Sequence, residues 1–98
     1  MSRYLLSAHA KTDLEQIWSY IANDNIDAAD KVRNAIKSAL EKLAQMPFIG
    51  HMRKDVKNPA YRFYVVYSYL IVYRPETNPL KVVRIVHGAR DLKRVLRG

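Results

Sequence analysis

In RIVHGARDLKRVL (84–96) a histidine closes a strand-like run and stands among Arg84, Arg90 and Lys93. An imidazole ringed by cations has the composition of a site for a polyanion. Cleaving RNA through its 2′-hydroxyl needs a base, an acid for the leaving oxygen, and cations over the phosphorane. Histidine changes charge near neutral pH, so His87 could serve one proton transfer and Asp55 the other, with Arg62 and Arg74 holding the developing charge. The competing reading is scaffolding. His87 follows alternating Val83 and Ile85, which places it on their packed face, and a strand-end histidine bonded to backbone is commoner than a catalytic one. His9 and His51 stand isolated, and the chain has no HExxH, P-loop or glycine-rich dinucleotide signature. No metal or small-molecule cofactor is expected.

Whichever role His87 has, the elements around it must set its position. Arg3 to Leu6 reads as a short strand, and Ser7 as the N-cap of the helix that follows. Leu14, Ile17, Trp18 and Ile21 fall on one face of that helix. NDNID (23–27) breaks the pattern, and Asp27 is a candidate cap for a second helix with Ala29, Val32, Ile36, Leu40 and Leu43 as its stripe. Pro47 and Gly50 stop it. YRFYVVYSYLIVYRP then reads as two strands turning near Ser68, ETNP (76–79) as a turn, and KVVRIVH (81–87) as a further strand. Arg90 to Leu96 reads as a short terminal helix. The order β-α-α-β-β-β(-α) predicts one α+β domain over 1–98, a two-layer fold with the helix hairpin packed on a mainly antiparallel sheet.

Arg62, Arg74 and Arg84 fall one to each late strand. With a three-residue hairpin loop Arg62 and Arg74 share a face and lie opposite one another, which is destabilising unless an anion sits between them. With a two-residue loop they point to opposite faces. Tyr61, Tyr64, Tyr67, Tyr69 and Tyr73 crowd the same strands, and half of them should face away from the helices. An aromatic, basic open face suits RNA bases or a partner peptide. For any single tyrosine, ordinary β-propensity explains it as well.

Composition narrows the partners. The chain of 98 residues has no cysteine, which excludes disulfides and thiolate zinc sites and fits a reducing compartment. Lys11 and Asp13 arrive too early for a signal-peptide apolar region, and the longest apolar run, Tyr64 to Tyr73, is half of the roughly 20 residues a bilayer span needs. The chain therefore reads as soluble and cytoplasmic. Its net charge of +8 lies wholly in residues 51–98, where eleven Lys/Arg face Asp55, Glu76 and Asp91. Six of each sign cancel in residues 1–50. One face built for an anionic partner, nucleic acid or acidic protein, accounts for that split; a solubilising surface is the alternative.

Taken together, YLLSAHAKTDLEQIWSYI, LAQMPFIGHMRKDV, YLIVYRP and RIVHGARDLKRVL resemble the ParE/RelE superfamily of small bacterial toxins over nearly the whole chain. Tyr4 to Ser7 leads into Asp13 to Ile21 as in that family; Leu43, Pro47, Gly50 and Arg53 match a second motif, and Ile85, His87, Gly88, Arg90 and Asp91 a third. Ala8 stands where the family usually has proline, and Ile85 where it has valine. The resemblance implies a type II toxin held inactive by a cognate antitoxin in a toxin–antitoxin hetero-oligomer. RelE-like members are ribosome-dependent mRNA endonucleases, whereas ParE-like members poison DNA gyrase. His87 is followed by Gly88 and further chain rather than by tyrosine and the chain end, and only Asp55 stands where a glutamate would be sought. The chain therefore looks ParE-like, a gyrase inhibitor acting by binding, with His87 as scaffold. An mRNA endonuclease using His87, Arg62, Arg74 and Asp55 is the first alternative, and a plain nucleic-acid-binding module the second. The antitoxin should be acidic and should meet Arg84, Arg90, Lys93, Arg94 and Arg97.

Overall fold

The computed structural model describes residues 3–53 and 60–88. Strand β1 (Tyr4–Leu6) precedes helices α1 (Ala8–Ala22) and α2 (Ile26–Gln45), a 3-10 turn (Pro47–Ile49), and strands β2 (Arg62–Val66), β3 (Tyr69–Arg74) and β4 (Leu80–His87). The sheet runs β1-β4-β3-β2, with β1 parallel to β4 and the other pairs antiparallel. This is the expected two-layer α+β arrangement. The helix expected over Arg90 to Leu96 lies outside the described residues, as do Asp55, Lys93, Arg94 and Arg97.

Ser7 caps α1 as its sequence context predicts, its Oγ accepting from the Ala10 amide at 3.0 Å. The same hydroxyl donates to the Val83 carbonyl at 2.6 Å, tying helix start to sheet. The cap of α2 is a correction. Asn25, not Asp27, accepts from the Ala28 amide at 3.0 Å. The link is tighter than the run of turn formers suggests: the amides of Asp24 and Asn25 both donate to the Ile21 carbonyl, so the chain re-enters helix at Ile26. Asp27 falls in the first turn, where its charge favours the helix N-terminus.

The two stripes meet the sheet as their periodicity requires. Leu14, Ile36, Leu40 and Leu43 pack with Ile71, Tyr73, Leu80, Val82 and Ile85. Each fully buried leucine or isoleucine contributes about 1.5–3 kcal/mol over leaving it exposed. Trp18 joins the helices instead of the core: its Nε1 donates to Asp30 at 2.9 Å, and Arg33 pairs with the same carboxylate while stacking 5.6 Å from the indole.

Register decides what the sheet's two faces carry. The β2–β3 loop has two residues, Tyr67 and Ser68, and Tyr67 takes the positive φ of 54° that such tight turns favour. Arg62 therefore stands opposite Tyr73, and Arg74 points to the other face. A bulge follows, because Val72 pairs with Arg84 but Tyr73 with Val82. Val83 is thereby turned to the far face, while Ile85 enters the core, so the expected alternation of Val83 and Ile85 on one face does not hold.

Candidate functional site

Among the described residues the tyrosines do not form the open aromatic and basic face expected of them; Tyr67 alone of the five is exposed, in the hairpin turn. Tyr64, Tyr69 and Tyr73 pack on the helix side, whereas the far face carries Phe63, Leu70, Val72 and Val86, all buried, with Tyr61 and Val83 against them. The two-residue hairpin loop is the reason: it puts the tyrosines in register with the core-facing residues of β3. Among the described residues no stacked platform for bases arises from this side.

His87 shares the helix-side face with Ile85 but is exposed, contrary to the packed position expected, because it is the last residue of its strand. Its ring meets the cross-strand Tyr69 edge-on, with centroids 5.5 Å apart and planes at 90°. Burial raises the Tyr69 pKa above that of free tyrosine, and the neighbouring Tyr20 hydroxyl adds to it. Tyr69 is thus a protonated phenol at neutral pH, a donor rather than a base.

The three arginines are not gathered around His87. Arg62, across from Tyr73, lies four residues along β3 from Tyr69, the partner of His87. Four residues of strand span roughly 13 Å, too far for both groups to act on one phosphate. The Arg62 guanidinium donates to the Gly50 carbonyl at 3.0 Å and lies 5.3 Å over the Phe48 ring. Arg74 is exposed at the end of β3 nearest Arg62 and on the opposite face. Of the candidates on the described residues, only Arg84 is close to His87 in sequence, and it is engaged elsewhere.

Arg84 and Asp13 form a two-point ion pair, Nε to Oδ2 at 2.7 Å and a terminal nitrogen to Oδ1 at 2.9 Å. Asp13 Oδ2 also accepts from the Ile85 amide at 3.0 Å. β1 pairs only with Leu80 to Val82, so beyond that point the edge of β4 is completed by helix side chains, Ser7 on Val83 and Asp13 on Ile85. The hydrogen bond to Asp13 raises the Arg84 pKa, against a smaller lowering by burial, so the guanidinium stays charged wherever the protein is folded. Asp13 was legible only as part of a motif; its partner lies 71 residues away, beyond any local pattern.

Sequence reasoning also missed a clamp around the turn after α2. The Tyr73 hydroxyl donates to the Pro47 carbonyl at 2.6 Å and accepts from the Gly50 amide at 3.0 Å. His51 exchanges both backbone hydrogen bonds with Phe63, 2.9 Å each, on the outer side of β2. The Pro47 and Gly50 spacing was the visible signal; the tyrosine that reads it was not. Among the described residues no three His, Cys, Asp or Glu side chains are placed to hold a metal ion.

Comparison with known proteins follows the same outline. The family model for the ParE toxin of the type II toxin–antitoxin system parDE matches residues 4–92. Toxin ParE1 of Mycobacterium tuberculosis is 32% identical over 97 residues, covering 97% of this chain and 98% of that one. Toxin ParE1 of Caulobacter vibrioides is 26% identical, covering 95% and 96%. A solved chain from the chromosomal ParDE TA system of P. aeruginosa superposes with a TM-score of 0.72 at 20% identity, covering 90% of this chain and 97% of that chain, a likeness of fold.

Proposed function

Because this chain belongs to the ParE toxin family of type II toxin–antitoxin systems, we propose that it arrests growth by binding DNA gyrase and is silenced by a small acidic antitoxin. The observation that carries the reading is the family match running through residues 4–92. The dispersal of Arg62, Arg74 and Arg84 away from His87 supports binding over nuclease chemistry. Both partners are cytoplasmic in this reading, and among the described residues no helix is long and apolar enough to cross a membrane. Arg90, Lys93, Arg94 and Arg97 supply positive charge for the antitoxin, whereas Arg84 contributes through its pair with Asp13.

Regulated expression without the antitoxin is expected to stop growth and induce DNA damage, and the purified protein to inhibit supercoiling by gyrase. Primer extension showing codon-positioned mRNA cuts, with supercoiling untouched, would reverse the assignment in favour of an endonuclease.

His87→Ala separates the two readings at the residue level. The ring is exposed and meets one tyrosine edge, so its removal should change stability by no more than about 0.5–1 kcal/mol and leave toxicity largely intact. A variant with wild-type Tm and no toxicity would overturn the scaffolding role of His87.

A further inference from the structure

We propose that the turn from Met46 to Met52 is the docking point for apolar anchors of an acidic antitoxin segment, an inference that rests on the toxin–antitoxin reading above. Within seven positions four large apolar side chains face solvent: Met46 is 48% exposed, Phe48 57%, Ile49 41% and Met52 56%. Single exposed apolar residues are ordinary, but four within one short turn of chain have the composition of an interaction surface.

The backbone under these side chains is held from three sides. Tyr73 bonds Pro47 and Gly50, Arg62 bonds the Gly50 carbonyl, and His51 is paired with Phe63. The fold fixes the turn from within and leaves its apolar side chains outward. A preorganised surface loses little freedom on binding, which favours affinity. Phenylalanine, methionine and arginine are also among the residues enriched in protein interfaces.

Charge selects the occupant. Among the described residues flanking the turn, Lys42, Arg53 and Arg62 stand against Glu41 alone. An apolar cluster inside so basic a stretch complements a segment that alternates large apolar side chains with carboxylates. Nucleic acid fits poorly, because methionine and isoleucine offer phosphates nothing and Arg62 already lies over the Phe48 ring.

The methionines supply the test. Hydrogen peroxide converts an exposed thioether to its sulfoxide and is itself reduced to water, and accessibility governs how fast. The probe is the cognate antitoxin, the acidic protein of the reading above, purified and added to saturation. Oxidation of Met46 and Met52, followed by mass spectrometry, should be slowed several-fold in the complex. Phe48→Ser/Ile49→Ser, at two exposed positions and with its fold checked by thermal unfolding, should bind that protein at least about tenfold more weakly. Methionines oxidised at the free rate in a saturated complex overturn the proposal. So does a double variant that keeps wild-type affinity for the acidic protein but no longer inhibits gyrase, since the turn then faces the target. A wild-type chain that neither binds the acidic protein nor inhibits gyrase defeats the functional reading itself, and the docking site with it.

Discussion

Gly50→Ala should lower the unfolding free energy by about 3 kcal/mol, combining an overpacked contact with a disturbed buried hydrogen bond. The backbone at Gly50 has an ordinary φ of −68°, so the requirement is for space and not for an unusual conformation. A Cβ there would overlap the Tyr73 hydroxyl and lie 2.9 Å from both the Phe63 carbonyl oxygen and the Tyr73 ring. The tyrosine is fully buried and cannot swing away. Thermal unfolding of a domain this size should shift by roughly 4–8 °C per kcal/mol. Tyr73→Phe should cost about 2 kcal/mol by itself, because it leaves the Pro47 carbonyl and the Gly50 amide without that partner. Combined, the two changes should cost less than their sum, since removing the hydroxyl makes room for the methyl group. Strict additivity in urea titrations would show that the cost of the Cβ comes from the Phe63 carbonyl and the aromatic ring rather than from the hydroxyl.

Asp13→Ala is expected to cost about 3 kcal/mol or more, the range for removing one partner of a largely buried ion pair. The side chains of Arg84 and Asp13 are 24% and 11% exposed, so solvent screens the pair only in part. Alanine leaves the guanidinium without its carboxylate and the Ile85 amide without its acceptor. Asp13→Asn keeps one acceptor and should lose less. The Arg84→Met/Asp13→Ala double variant should be more stable than Asp13→Ala alone, because no half-buried charge is then left unpaired. A raised pKa on a base adds stability that is complete below its unfolded value and lost only as pH climbs through the folded one. For Arg84 that window lies at extreme alkaline pH, so its side of the pair should not weaken between neutral and mildly alkaline conditions. Equal stability of wild type and Asp13→Ala in urea would mean the pair contributes nothing.

Periodicity alone was sufficient for the order of the helices and strands among the described residues. The stripes of α1 and α2 and the β-branched runs of β2, β3 and β4 are local patterns, and burial of each apolar face leaves two layers as the outcome. Local context also sufficed for Ser7 as a cap, and the set of spaced motifs was sufficient for the family. It was insufficient for Asn25 against Asp27, where both residue types can cap and the choice fell to how tightly the chain turns on the Ile21 carbonyl.

What stands beside His87 belongs to the tertiary structure. A single residue of hairpin length decides whether Arg62 and Arg74 share a face, and no Asn-Gly or Asp-Gly pair announced the two-residue loop at Tyr67 and Ser68. The bulge at Val83 then breaks the period-two count that had put Val83 and Ile85 on one face, and the end position of His87 leaves its ring exposed rather than packed. Arg84 belongs to Asp13 and Arg62 to the turn at Gly50 because folding brings carbonyls and a carboxylate within reach across 12 to 71 residues. Charge and residue type are written in order along the chain, but pairing is a property of distance, and distance exists only once the sheet has closed against the helices.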